Sequence, residues 1–337
     1  MRIAVLGAGG PAGINTCRAL ATAGHEVVAT DSNADHLGWG DWRSFHMPVY
    51  SVDAINELGA DVVVPQPDGA VRWLAENAGS VEAATFLPSV ATIEVCRDKG
   101  EAQRAWWDAS LTPGALALGG KVSRDLLLAK GLFGYPFWLR ARYGAGARCA
   151  LKVEDLRQAD LWVRFWRLRG VEDFIAEEYL PGRDLAWTGI YWRGELVTSF
   201  ARERLEYLYP HLTPTGLTGT PTRARIVHDE KVNAVAELAV SVIDVGPHGI
   251  MSVDLKEDSE GTPCPTEINA GRGFTTLGLW SLYRNSCNFL DFAAEIAVRD
   301  EPIGKAAGRD PLPEGLTLHR HIDAGHRFVL ERASVPA

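Results

Sequence analysis

Long apolar runs are missing from this chain of 337 residues. No stretch of 18 apolar residues occurs, so no membrane span is expected. The N-terminus, Met1-Arg2-Ile3-Ala4-Val5-Leu6, meets glycines too soon to hold the apolar core of a secretion signal. Cysteine is scarce. Cys17, Cys96, Cys149, Cys264 and Cys287 are widely spaced and include no CxxC pair, which argues against a zinc ribbon or a thioredoxin-like site. Scattered single thiols fit a reducing, cytoplasmic setting, as small core residues rather than nucleophiles. Positive charge is also in deficit. The 34 Lys and Arg against 43 Asp and Glu give a formal charge of −9, a poor balance for wrapping nucleic acid. Internal repeats and low-complexity segments are absent as well. The chain is 46% hydrophobic and 23% charged, an ordinary globular composition. Its length suggests about two domains, with enough core to need no staples.

The first part alternates strand and helix. A strand over 2–6 ends at Gly7-Ala8-Gly9-Gly10-Pro11-Ala12-Gly13, and Ile14, Cys17, Leu20 and Ala21 then follow at helical spacing. Gly24 stops that helix. Strands over 26–30 and 61–65 complete a pattern that predicts an open α/β domain with a parallel sheet, residues 1–94. After Pro88 the pattern changes. Helices are expected over 102–109, 160–166, 229–245 and 288–298. Strands are expected over 137–140 and 147–151, joined by a glycine-bearing loop, and over 174–180, 185–191, 196–202, 250–255 and 264–269. The last 37 residues carry one short strand, over 316–322.

Three groups of residues carry chemistry. Gly7-x-Gly9-x-x-x-Gly13, with Asp31 closing the second strand, looks like a dinucleotide fingerprint. Its spacing departs from GxGxxG, and a tight strand-to-helix turn without nicotinamide explains it better. Second, Asp254 ends one strand, while the next carries Glu267-Ile268-Asn269. Strand alternation places Glu267 and Asn269 on one face, and pairing through the 258–261 turn brings Asp254 beside them. Hard oxygen donors of this kind suit Mg²⁺, though a solvated sheet face would look the same. Arg272, within a glycine-rich turn, adds a cation. Third, Lys99, Arg140 and the basic glycine loop 142–147 have the character of a phosphate site.

Taken in order, these elements resemble the ATP-grasp superfamily, in particular its carbamoyl-phosphate-synthase-like and biotin-carboxylase-like carboxylate–amine ligases. The likeness runs from residue 1 to about 300. Asp98-Lys99 resembles the family's DK element. Gly134-Tyr135-Pro136 with Arg140 resembles its GyPvvvKp strand, and the loop with Gly144 and Gly146 its glycine-rich lid loop. Glu177-Glu178-Tyr179-Leu180, Pro181-Gly182 and Asp184 resemble the hinge that holds adenine and ribose. Asp254, Glu267 and Asn269 resemble the metal ligands, and Arg272 the arginine facing the reacting phosphate. There are departures: Arg140 stands for a lysine, Asp254 for a more usual glutamate, and Arg272 lies three residues after the asparagine instead of two.

The resemblance implies a Rossmann-like preATP-grasp domain (1–94), an ATP-grasp domain (95–300) with a small lid (about 115–175), and a C-terminal extension (301–337). It implies ATP and Mg²⁺ (or Mn²⁺), a carboxylate activated as an acylphosphate, and an amine or other nucleophile that attacks it with loss of phosphate. Nucleic acid and membrane partners are not expected; a homodimer stays open.

Arg202 and Arg204 share a strand face and could grip a substrate carboxylate. An exposed strand end of alternating charge is the even alternative. Tyr207, Tyr209, His211 and the Thr-Gly-rich run 213–220 form a loop before the 229–245 helix; it could line an acceptor pocket or equally be a mobile surface loop. His319-x-His321-x-Asp323 has ligand spacing, but an exposed edge strand is the better reading. Two other functions compete with a ligase: an NAD(P)-dependent oxidoreductase or epimerase built on the N-terminal glycines, and a catalytically impaired nucleotide-binding protein. The first lacks a Tyr-x-x-x-Lys pair and leaves the acid–amide face unexplained.

Overall fold

The computed structural model describes all residues except 145, 148, 220, 284–287, 303–307, 322–324 and 331–337. Cys287 and Asp323 therefore lie outside the described residues.

A parallel sheet in the order β3-β2-β1-β4 is built from β1 (Arg2–Leu6), β2 (Glu26–Asp31), β3 (Arg43–His46) and β4 (Val62–Pro65). Ile3, Ala4, Val5 and Leu6 are fully buried, which is why β1 reads as an unbroken apolar run rather than an alternation. Around the sheet lie α1 (Pro11–Thr22), α2 (Val52–Asn56) and α3 (Asp68–Asn77), followed by α4 (Val90–Arg97) and α5 (Lys99–Asp108). The edge strand β3 was not foreseen, because all four of its residues are exposed and carry no apolar pattern.

The next segment forms an antiparallel sheet, β5-β8-β6-β7, from β5 (Ala115–Leu118), β6 (Phe137–Ala141), β7 (Leu151–Val153) and β8 (Phe174–Glu178). Helices α6 (Val122–Phe133) and α7 (Leu156–Arg167) cover it. They bury Leu126, Ala129, Ala159 and Val163 against Phe137, Leu139, Phe174 and Ala176. The expected hairpin is present, but its second strand starts at Leu151 rather than 147, since Ala147 sits in a turn with φ +53°.

The third sheet is eight-stranded, in the order β13-β12-β9-β10-β11-β15-β16 with β14 beside β10. Its strands are β9 (Asp184–Trp192), β10 (Glu195–Tyr207), β11 (Pro221–Val227), β12 (Gly249–Glu257), β13 (Pro263–Ala270), β14 (Gly308–Arg309), β15 (Leu316–His321) and β16 (Gly325–Leu330). On one face α8 (Glu230–Ile243) buries Val232, Ala236 and Val240 in a cluster with Trp106, Trp187 and Met251. On the other, α9 (Leu277–Ser281) and α10 (Phe289–Arg299) join a core that runs from Phe200 to Ile3 and Val5 of the parallel sheet.

Three expectations need correction. The strand over 196–202 continues to Tyr207, because Arg202 and Arg204 are taken up inside the molecule instead of marking an exposed end. The segment between Tyr207 and α8 is not all loop, since β11 forms within it on pairing with β10. The histidine strand β15 is no edge strand: it pairs with β11 on one side and β16 on the other. Among the described residues, no helix is long and apolar enough to cross a membrane, and no cluster of His, Cys, Asp and Glu has metal-site geometry.

Candidate functional site

The antiparallel pairing of β12 with β13 sets Asp254 opposite Glu267 and Ser252 opposite Asn269, as the turn at 258–261 predicts. These side chains open into a cavity of about 470 Å³ between the eight-stranded sheet and the β5–β8 sheet. Most candidates named from the sequence line it: Lys99, Arg140, Gly144, Gly146, Glu177, Glu178, Tyr179, Leu180, Asp184, Arg202, Arg204, Tyr207, Asp254, Glu267, Asn269 and Arg272, whereas Asp98, Arg142, Tyr209 and His211 do not.

Charges of opposite sign alternate around the wall. Lys99 Nζ lies 3.4 Å from Glu267 Oε1, and Arg140 Nη1 lies 3.8 Å from Glu267 Oε2. Arg140 spends its fork on Glu177, donating from Nε (2.6 Å) and Nη2 (2.7 Å), and donates again to the Thr266 carbonyl at 2.6 Å. The carboxylate of Glu177 thus holds the cation, which leaves the Nη1 edge toward Glu267. Burial pushes the Arg140 pKa down, but Glu177 and Glu267 outweigh it and hold it above the usual value.

Arg204 donates to Asp184 Oδ1 (2.8 Å) and the Leu185 carbonyl (2.9 Å) and lies 3.1 Å from Asp254 Oδ1. Tyr207 donates its hydroxyl to Asp184 Oδ2 at 2.7 Å. Burial pushes the Asp254 carboxyl up, and the nearby Glu267 and Asp184 charges add to the shift against the opposing pull of Arg204. Asp254, Glu267 and Asn269 each already face a cation, Arg204, Lys99 with Arg140, and Arg272 respectively, while their hard oxygen donors at one cavity wall are of the type a divalent cation takes.

Arg202 differs from its neighbour. It is 2% exposed, its guanidinium carbon lies 3.8 Å from the centre of the Phe274 ring, and its Nε and Nη1 have no hydrogen-bond partner. Burial, reinforced by Arg204, pushes its pKa down to about 9.

The displaced Arg272 is accommodated by Gly271, which takes a φ of +78° and donates its N–H to the Ile250 carbonyl. A Cβ there would come within 2.7 Å of Val71 Cγ1, so only glycine fits. The turn lets Arg272 donate to Asn269 Oδ1 (2.8 Å) and to Asp68 Oδ1 (2.6 Å). Asp68 was missed: it lies 204 residues away in sequence, with no local signal. Trp138, Gln103, Phe274 and Thr275 also line the cavity without having been singled out.

The N-terminal glycine loop is committed elsewhere. Asp31 accepts the Gly9 amide at Oδ2 and the Asn33 amide at Oδ1, both at 2.9 Å. A Cβ on Gly7 would strike the Pro67 ring at 2.3 Å. The glycines thus serve a tight turn, and the acid that would bind ribose in a dinucleotide site is occupied by backbone donors.

No protein-family model matches the sequence, and a sequence search of curated proteins finds no match. Comparison with solved structures finds many. An L-amino acid ligase from Bacillus licheniformis superposes with a TM-score of 0.66 at 16% identity, covering 94% of this chain and 78% of that one. The N5-carboxyaminoimidazole synthetase of Staphylococcus aureus, complexed with ADP, gives 0.69 at 18% identity, covering 95% and 82%. The biotin carboxylase domain dimer of the 2-oxoglutarate carboxylase of Hydrogenobacter thermophilus, in complex with MgADP, ADP and bicarbonate, gives 0.68 at 14% identity, covering 94% and 74%. At these identities the likeness is one of fold. The chain has the fold of ATP-grasp carboxylate–amine ligases over nearly its whole length, and the resemblance drawn from motif order is borne out at that level.

Proposed function

We propose that the protein is an ATP-dependent ligase. It activates a carboxylate as an acylphosphate, joins it to an amine or another nucleophile, and releases ADP and phosphate. The observation that carries this reading is the single cavity at which Lys99, Arg140 and Arg272 alternate with Asp254, Glu267 and Asn269, in a fold shared with ligases captured with ADP. In this reading residues 1–94 are the preATP-grasp domain and 95–300 the ATP-grasp domain. Residues 115–175 form its lid and 301–337 the C-terminal segment.

The chain's own residues divide the work. Backbone at Glu178, Tyr179 and Leu180 holds the adenine, and Asp184, fixed by Arg204 and the Tyr207 hydroxyl, stands at the ribose end. Lys99 and the free edge of Arg140 take phosphate oxygens. Asp254, Glu267 and Asn269 hold Mg²⁺ or Mn²⁺, which when bound neutralises charge between the phosphates. Arg202 holds the acid's carboxylate and Arg272 the oxygens of the transferring group, while the loop bearing Gly144 and Gly146 keeps water from the acylphosphate. Positioning and charge stabilisation are enough for phosphoryl transfer, so no nucleophilic side chain is required.

A thermal-shift assay tests the nucleotide assignment. A ligand that binds only the native state at about 100 times its Kd adds about 2.7 kcal/mol of stability. ATP with Mg²⁺ is expected to raise Tm and NAD(P)H to leave it unchanged; the reverse pattern would revive an oxidoreductase. A screen of ATP hydrolysis with pools of amino acids and small carboxylates, products read by mass, then identifies the acid.

A further inference from the structure

The Asp98 carboxylate serves two elements at once. It caps α5, Oδ1 accepting the amides of Gly100 (2.9 Å) and Glu101 (3.2 Å). It also accepts the fork of Arg142, from Nε to Oδ1 at 2.6 Å and from Nη2 to Oδ2 at 2.7 Å, and the Tyr143 hydroxyl to Oδ2 at 2.8 Å. Asp98 is 8% exposed; burial pushes its carboxyl up, but Arg142 and Tyr143 outweigh this and hold it below the usual carboxylate range.

The loop after β6 has a second attachment to the same helix end. Lys99, the first residue of α5, donates from Nζ to the Gly144 carbonyl at 2.5 Å. The Lys99 amide also donates to the Arg142 carbonyl at 3.2 Å, and the two side-chain attachments differ in place. Lys99 and Gly144 line the cavity, whereas Asp98 and Arg142 stand outside its lining. On the loop's far side Gly146 packs close to Gly219, where a Cβ would lie 3.0 Å from Gly146 Cα. The loop therefore bridges the cavity from α5 to the segment before β11.

We propose that Asp98, Arg142 and Tyr143 form a latch that keeps this loop over the cavity after a nucleotide phosphate draws Lys99 away from the Gly144 carbonyl. The inference rests on the nucleotide reading above. An ammonium prefers a charged phosphate oxygen to a neutral carbonyl, since charge-assisted hydrogen bonds are about twice as strong. Nucleotide binding thus removes the inner attachment at the moment when closure matters for excluding water. The Asp98–Arg142 pair stands off the cavity wall, though Tyr143 lines it, and a two-point Arg–carboxylate pair resists that exchange. Asp98 is a positioning residue: by capping the turn that begins with Lys99, it fixes the loop's height over the ammonium. A purely structural role would be the cap itself, which substitutions at Arg142 or Tyr143 leave in place.

The test is hydrogen exchange at residues 142–147 of the full chain, with and without Mg²⁺ and a non-hydrolysable ATP analogue, alongside calorimetric binding of that analogue. In the wild type, protection is expected to persist or rise with the analogue. In Arg142→Gln, protection is expected to match the wild type without analogue and to fall about tenfold with it, the scale of one charge-assisted bond. Analogue affinity should stay within about threefold. Tyr143→Phe should lose less, and Arg142→Lys should recover part. If Arg142→Gln with bound analogue is as protected as the wild type, the latch is wrong. If calorimetry shows no analogue binding to the wild type, the nucleotide reading fails and takes the latch with it.

Discussion

Glu267→Gln is expected to cut ATP-dependent turnover by about 10²–10³-fold, the scale of losing one preorganised charge at a phosphoryl-transfer site. The substitution keeps the shape, removes the charge and replaces one acceptor oxygen by an amide donor. Glu267 faces the cavity with 22% of its side chain exposed, and its neighbours Lys99 and Arg140 lie at 3.4 and 3.8 Å, beyond direct hydrogen bonds. Lys99 keeps the Gly144 carbonyl and Arg140 keeps Glu177, so the fold should persist without it. The larger effect is on function. In the proposed site a divalent cation would lose one of two anionic ligands, and the two nearby cations would be left without their shared counter-charge. Asn269→Ala should act in the same direction, with a second consequence, because it frees the Arg272 donor now held at 2.8 Å by Asn269 Oδ1. Turnover with the acid found in the screen, together with circular dichroism and Tm for each variant, decides the matter. Near-normal turnover in a folded Glu267→Gln protein would mean that the metal site has been misplaced.

The parts of this site that were legible in the sequence are those set by local periodicity. Two-residue alternation along β13 puts Glu267 and Asn269 on one face, and the 258–261 turn fixes the pairing that brings in Asp254. The apolar run of β1 is equally local. Pairs formed across the fold were not legible. Arg272 with Asp68, Arg142 with Asp98, and Arg204 with Asp184 join residues 204, 44 and 20 apart, and charged residues of a chain this size have many candidate partners. Arg202 and Arg204 show the limit most clearly. Their spacing says that they share a face, but not that one is fully paired and the other has unpaired donors, because that difference comes from β9 and β12. Exposed elements escaped for the opposite reason: β3 buries none of its residues and so leaves no hydrophobic trace.

Arg202→Met is expected to make the ligand-free protein more stable and much less active. At neutral pH Arg202 is a buried cation, 2% exposed, and among the described residues no carboxylate lies within ion-pair distance of it. Burial pushes its pKa down to about 9, so the folded state disfavours its proton relative to the unfolded chain. By linkage this group subtracts stability at neutral pH, and the penalty is relieved as pH rises through about 9 toward its unfolded value. Methionine keeps the length, packs against Phe274 and carries no charge. The gain should be about 1–3 kcal/mol, the cost of a buried unsatisfied polar group, seen as a Tm higher by several degrees. Arg204→Met should do the reverse and cost about 3–5 kcal/mol, because it strips the partner from Asp184 and Asp254. A buried cation with free donors in a cavity wall is what an acid substrate can satisfy, so the stability gained by Arg202→Met should come at the expense of acid binding. Arg202→Lys keeps the charge but loses the planar fork. Its KM for the acid should rise about tenfold or more, as for one lost charge-assisted bond, while ADP affinity by calorimetry stays unchanged. If both Arg202 variants keep wild-type turnover and acid affinity, or if Arg202→Met lowers Tm, the arginine is structural and the acid binds elsewhere.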